Sequence, residues 1–211
     1  MKSLFSLVLT TLIIAINLQA QIYLDSTFSI QINPSLPPLV ATFTVTTDYK
    51  FGSHVIYHII FRNISDSSLF QEVVDTSDIF DESELNFLDI NFDKYLDFNL
   101  VTSVGSQGSH GYHYWTYNKN IRRFEKNQDF EEVCGEIKLD PSKQLIHTTN
   151  YWGSTCCNET YRIQNGKPLE IECETLEQVL DRNGHPIWHT TIEKLINGKM
   201  KVVKQYDNPD Q

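Results

Sequence analysis

The stretch that decides the fold is YRIQNGKPLEIEC, residues 161–173. Apolar runs flank the pair Asn165-Gly166. An Asn-Gly pair in that setting favours a type I′ turn, because both residues tolerate positive φ. The stretch therefore predicts an antiparallel β-hairpin in which Gln164 faces Lys167.

The same pattern recurs along the chain. The segment TTIEKLINGKMKVV (190–203) repeats the device with Asn197-Gly198. Runs rich in Val, Ile, Thr, Phe and Tyr predict further strands at 41–49, 54–62, 112–117 and 120–124. Helix signals are limited to a turn at 142–147 and another at 175–184. We therefore predict an all-β, hairpin-rich fold of mostly antiparallel sheets, arranged as a sandwich or a small propeller.

The first residues, MKSLFSLVLTTLIIAINLQA, place Lys2 before an apolar run that ends at a small residue, Ala20. This order predicts a signal peptide over residues 1–20. We expect one β domain over 21–206, a polar tail over 207–211, no stable membrane anchor, and a periplasmic or extracellular location.

The chain is acidic. Its formal net charge is −10, and removal of residues 1–20 takes away Lys2 and no acid, which gives −11. An acidic surface argues against nucleic acid and anionic membranes, and it suits a cationic protein partner or a divalent cation.

The four cysteines are Cys134, Cys156, Cys157 and Cys173. In an exported protein they predict two disulfides, with three possible pairings, and none has the C-x₂-C spacing of a zinc site. If the 165–166 hairpin is regular, Cys173 lies opposite Asn158 and shares a face with Cys156. That register favours Cys156–Cys173 with Cys134–Cys157, and a bulge at 156–157 would reverse it.

Acidic residues concentrate between Glu72 and Asp97, a segment that contains nine Asp or Glu residues and one lysine. Within this region the segment LDINFDKYLDFNL (88–100) follows the spacing D-x-N-x-D-x-x-x-D. Side-chain oxygens at positions 1, 3, 5 and 9 of such a loop, with the backbone carbonyl of position 7, surround one point and select Ca²⁺. The predicted ligands are Asp89, Asn91, Asp93, the carbonyl of Tyr95, and Asp97.

The calcium loop of 89–97 is not an EF-hand, since position 12 is Leu100 and its flanks predict strands. Position 6 is Lys94, where such loops prefer glycine for its positive φ. A non-glycine residue there costs about 1–2 kcal/mol. We therefore expect Ca²⁺ to bind modestly and to act structurally.

Residues 85–175 resemble a group of secreted bacterial proteins. The shared elements are LDINFDKYLDFNLV, a Gly/Ser loop GSQGSHG, the strand YHYWTY, and later IKLDPSKQLI and YRIQNGKPLEI. The best-understood members are periplasmic immunity proteins that block peptidoglycan-cleaving effectors of type IV secretion systems. Their β fold is similar to that of invertebrate-type lysozyme inhibitors. The resemblance implies the same calcium ligands and an inhibitory role.

A flexible loop, Gly105–Gly111, precedes the aromatic strand 112–117. A protruding loop can enter an enzyme cleft, so we expect Ser109, His110 and Tyr112 to contact a protein partner, and a cationic peptidoglycan hydrolase is the candidate. We expect no catalytic activity. The alternatives are a calcium-stapled module at the cell surface and a glycan-acting hydrolase with paired carboxylates.

Overall fold

The structure is a computed structural model that describes residues 20–48, 54–77, 85–105 and 109–208. The predicted signal peptide, residues 1–20, lies outside these ranges except for Ala20. Among the described residues, no helix is long and apolar enough to cross a membrane.

The first sheet has four antiparallel strands in chain order. They are β1 (Ala20–Ile30), β2 (Leu39–Asp48), β3 (His54–Asn63) and β4 (Leu69–Ser77). Strand β3 shows why the segment is a strand: Val55, Tyr57, Ile59 and Phe61 are buried while the residues between them are more exposed. Such period-two burial is what a sheet with one covered face requires.

Two further antiparallel sheets follow, with a short 3-10 helix at Gln128–Phe130. One has the order β5-β6-β7-β8: β5 (Leu85–Leu88), β6 (Asp97–Val104), β7 (His110–Asn118), β8 (Arg123–Lys126). The other has the order β14-β13-β12-β11-β10-β9: β9 (Glu136–Asp140), β10 (Leu145–Trp152), β11 (Thr155–Gln164), β12 (Lys167–Leu180), β13 (Pro186–Ile196), β14 (Lys199–Asn208). The all-β, antiparallel prediction is confirmed.

The described residues divide into two compact units, and the single domain expected over 21–206 stays a prediction. One unit comprises residues 20–30 and 37–77, and the other comprises 31–36 and 85–208. Each has its own buried apolar residues, for example Tyr57 in the first and Phe98 in the second. Strand β14 continues to Asn208, which pairs with Trp188, and the rest of the predicted tail, 209–211, lies outside the described residues.

Both predicted Asn-Gly turns are present. Asn165 and Gly166 have φ of 53° and 77°, Asn197 and Gly198 have 53° and 75°, and Gln164 pairs with Lys167. The helical turn considered at 175–184 is wrong, since β12 continues to Leu180. Pairing with both β11 and β13 fixes this segment as a strand.

The predicted register fails farther from the turn. It shifts between Thr160 and Tyr161, so Cys173 pairs with Glu159 instead of Asn158. Cys157, which we expected to point away, therefore shares a face with Cys173, and both thiols approach Thr175 Oγ1, at 3.9 and 3.7 Å. Cys156 points to the opposite face, which rules out the predicted Cys156–Cys173 pair.

All four cysteines are free thiols in the structure, so neither predicted disulfide is formed. Cys134 lies beside Asn150, whose Nδ2 is 3.4 Å from its Sγ, and Asn150 pairs with Cys157. The pKa of Cys173 is raised to about 11, mainly by burial and also by the nearby carboxylates of Glu170 and Glu159, while a hydrogen bond with Thr175 opposes the rise.

Candidate functional site

The predicted calcium loop connects β5 to β6, where Leu88 pairs with Asp97. Two side chains anchor it to the sheet. Ile90 is fully buried, and the ring of Tyr95 stacks on that of Tyr117 with 5.4 Å between centroids. Apolar residues inside an acidic segment therefore fix the position of the turn.

Within the loop, side-chain oxygens accept hydrogen bonds from backbone N–H groups. The two carboxylate oxygens of Asp89 bond to the N–H groups of Asp93 and Lys94, each at 2.9 Å. Asn91 Oδ1 also accepts from Asp93 N–H, and Asp93 Oδ1 accepts from Tyr95 N–H, again at 2.9 Å. These bonds draw the side chains at positions 1, 3 and 5 towards the inside of the turn.

The loop curls through two residues with positive φ, Phe92 at 58° and Lys94 at 73°. Lys94, at position 6, thus adopts the positive φ that a glycine would adopt there. Because a left-handed non-glycine residue costs about 1–2 kcal/mol, the loop carries local backbone strain at Lys94.

Asp97 closes the loop from the start of β6 and is fully buried. Its Oδ2 accepts a bond from Ile90 N–H at 3.1 Å, and its Oδ1 accepts from Tyr117 N–H at 2.8 Å. Burial raises the pKa of Asp97 to about 8, against the bond from Tyr117, and the carboxylates of Asp93 and Asp89 add to the rise. Three carboxylates therefore lie close enough to repel one another when ionised.

A segment that sequence reasoning missed supports the loop. Asn33 Nδ2 donates to the carbonyl of Lys94 at 2.7 Å, and Leu96 N–H donates to the carbonyl of Ile32 at 2.8 Å. Asn33 also accepts from Ser35 N–H at 2.9 Å. The only sequence signal was a turn pattern, Asn33-Pro34-Ser35, and nothing in it indicated a contact with Lys94, 61 positions away.

The donor set of the loop fits a hard cation. Its members are oxygen donors, namely the side chains of Asp89, Asn91, Asp93 and Asp97 with the carbonyl of Tyr95. Each carboxylate oxygen that accepts one N–H bond keeps a second lone pair for a metal. A divalent cation would also offset the repulsion among the three carboxylates. These residues could therefore hold Ca²⁺.

The predicted partner residues have a different environment. The loop 105–111, which contains Ser109 and His110, is closed by a 2.6 Å bond from Gly105 N–H to the carbonyl of Ser109, and residues 106–108 lie outside the described ranges. Ser109 is buried, its Oγ donating to the Tyr151 carbonyl at 3.1 Å and accepting from Tyr151 N–H at 2.6 Å. Its side chain therefore connects two sheets.

Tyr112 is also buried, and its hydroxyl donates to the carbonyl of Gly135 at 3.1 Å. The carbonyl of His110 accepts from Gly135 N–H at 2.6 Å, and its ring meets that of Tyr112 edge to face. Direct partner contacts through Ser109 and Tyr112 do not fit this structure, because both side chains are turned inwards. His110 is half-buried.

An exposed aromatic pair lies next to Ser109. Tyr151 is 40% exposed and Trp152 is 59% exposed at the end of β10, before Gly153 with a φ of 61°. Sequence reasoning missed this pair, although the order Tyr-Trp-Gly between two strands was a usable signal. We call the hairpin end Tyr151–Ser154 the aromatic tip.

No protein-family profile and no curated protein matches the chain. A solved structure, described as that of a Xanthomonas type IV secretion system related protein, is similar in fold. It aligns with a TM-score of 0.56 over 86% of this chain and 100% of the other, at 15% sequence identity. At that identity the likeness concerns the fold alone. The chain therefore shares its β architecture with a type IV secretion system related protein.

Proposed function

We propose that the protein is an exported, calcium-stabilised binding protein that inhibits a lysozyme-like peptidoglycan hydrolase. The observation that carries this proposal is the exposed aromatic tip, which Ser109 bonds to the base of the loop 105–111. The acidic charge, the fold shared with a type IV secretion system related protein, and the resemblance of residues 85–175 to immunity proteins support it.

Calcium has a structural part in this account. Asp89, Asn91, Asp93, Asp97 and the carbonyl of Tyr95 would hold the ion at the β5–β6 turn. Strand β6 pairs with β7, and β7 begins at His110. A rigid turn would therefore fix the β6–β7 strand pair, which also carries Ser109 directly before the start of β7.

The aromatic tip supplies the contact with the enzyme. Trp and Tyr dominate binding energy at protein interfaces because they bury a large area with few rotatable bonds. A hairpin end that projects two such side chains can enter a substrate cleft. The net charge of −10 would attract a cationic hydrolase and raise the association rate at low salt.

The test is inhibition of peptidoglycan hydrolysis, measured with a panel of lysozyme types. Trp152→Ala should weaken inhibition by about 30-fold, the loss expected at a hot-spot residue. The matched control is Ile196→Ala, an exposed apolar residue at the opposite end of the same sheet. It should leave inhibition unchanged, and the association rate of the parent protein should fall as salt rises.

If no hydrolase is inhibited at micromolar protein, the inhibitor proposal fails and the calcium-stapled surface module becomes the better account. If inhibition occurs and Trp152→Ala retains it, the inhibitory role stands and the aromatic tip is not the contact surface.

A further inference from the structure

One face of the six-stranded sheet carries a cluster of carboxylates and thiols that the proposed function does not use. Glu159 on β11 pairs with Cys173 on β12, and Cys173 pairs in turn with Glu193 on β13. Directly paired residues project to the same side of a sheet. The three side chains therefore form a row across three strands.

The register shift in β11 and β12 adds a further carboxylate to this face. Tyr161 pairs with Glu170 and Thr160 with Glu172, so one residue of β12 has no partner. Residues three apart in a regular strand point to opposite faces, but a bulge between them restores the same face. Glu170 and Cys173 thus lie side by side.

These groups are close enough to share an ion. One ligand atom from each of Glu159, Glu170 and Cys173 lies within 4.8 Å of the other two, and all three residues are half-buried. Ligand atoms around a tetrahedral Zn²⁺ are roughly 3.3–3.8 Å apart. Small side-chain rotations would bring the three ligand atoms from within 4.8 Å of one another to that shorter separation.

Buried residues orient Glu159. Its Oε2 accepts bonds from the hydroxyl of Tyr161 at 2.9 Å and from Thr148 Oγ1 at 3.0 Å. Tyr161 and Thr148 are only 6% and 2% exposed. Outer residues that fix a carboxylate in this way leave its second oxygen for a metal and are characteristic of prepared metal sites.

The chemistry of the donor atoms determines which metal ion the cluster would prefer. A thiolate with two carboxylates suits a borderline cation such as Zn²⁺, whereas the all-oxygen loop of 89–97 suits Ca²⁺. Burial raises the pKa of Glu170, and repulsion from the carboxylates of Glu159 and Glu193 raises it as well. A cation here would offset that repulsion.

We propose that Glu159, Glu170 and Cys173 form a second metal site, which takes Zn²⁺. The Cys173 thiol loses its proton to solvent on binding, and three protein ligands leave a fourth position open to water. The site is independent of the calcium loop and of the proposed inhibitory role.

The test uses Co²⁺ as a spectroscopic probe for Zn²⁺, added to the full chain under reducing conditions. We expect one Co²⁺ per chain with a thiolate-to-cobalt absorption band, and Zn²⁺ should displace it. Cys173→Ser should remove the band, and Glu170→Gln should weaken affinity by about ten-fold or more. Circular dichroism checks that both variants are folded.

The matched control is Cys156→Ser, because Cys156 lies on the same strand pair but on the opposite face. It should retain the full band, as should Asp93→Ala in the calcium loop. The proposal is overturned if the parent gives no thiolate band, if folded Cys173→Ser binds Co²⁺ as the parent does, or if Cys156→Ser abolishes binding. A Cys173 disulfide that reductant does not open also overturns it.

Discussion

Lys94 has a left-handed backbone conformation in the loop 89–97, with a φ of 73°. Replacing it with glycine removes the Cβ that opposes this conformation and takes a positive charge away from the carboxylates. Lys94→Gly should therefore stabilise the protein by about 1 kcal/mol with chelator present, and it should also tighten Ca²⁺ binding. Chemical denaturation and a Ca²⁺ titration measure the two effects separately.

The control for this change is Lys119→Gly, an exposed lysine that lacks a positive φ. It should be neutral or slightly destabilising. Equal effects of the two substitutions, or weaker Ca²⁺ binding by Lys94→Gly, would mean that the loop already accommodates Lys94 without strain.

At this scale the turn between β5 and β6 over residues 89–97 was predictable because its conformation is local, and its binding of calcium stays a prediction. The spacing of Asp89, Asn91 and Asp93 and the positive φ at position 94 depend on a few consecutive residues. The burial of Ser109 and Tyr112 was not predictable, since it depends on Tyr151 and Gly135. Those contacts join segments far apart in sequence.

Gly135, which lies directly before β9, is hydrogen-bonded to strand β7. Gly135 bonds to His110 and Tyr112 through its own backbone, and a Cβ there would lie 2.3 Å from both Asn150 Oδ1 and the carbonyl of Thr149. Gly135→Ala should therefore destabilise the protein by about 3 kcal/mol or more, from overpacking and left-handed strain together.

Gly153 offers the matched comparison. It also has a positive φ, but a Cβ built on it meets nothing within 4 Å. Gly153→Ala should therefore cost only the backbone strain, about 1–2 kcal/mol. Denaturant unfolding of both variants measures the difference, and equal losses would contradict the close packing around Gly135.

The hairpins show which part of the strand pairing could be predicted from the sequence and which could not. Asn165-Gly166 fixes the first pairs of β11 and β12, since the turn type determines the register beside it. The shift at Thr160 and Tyr161 leaves no mark in the local pattern. One extra residue of β12 at this step places Cys157 instead of Cys156 on the face of Cys173, and it brings Glu170 to that face. Searching for zinc ligands by sequence spacing likewise misses a cluster assembled across strands.

For the whole molecule, alternating strands and turns predicted the antiparallel all-β class. The division into two compact units was not predictable, because the segment 31–36 leaves the first unit and joins the second. Nothing in the local sequence marks that exchange. In the structure it brings Asn33 to the carbonyl of Lys94, so a residue near the start of the chain supports the calcium loop.

The central claim that we propose is that a bound calcium ion stabilises the fold through the loop 89–97. The most direct measurement is thermal unfolding of the full chain in millimolar Ca²⁺ and in chelator, for the parent and for Asp93→Ala. An ion that binds only the folded state raises the melting temperature by mass action. The account predicts a clear rise for the parent and none for Asp93→Ala. Coincident melting curves for the parent in Ca²⁺ and in chelator would contradict it.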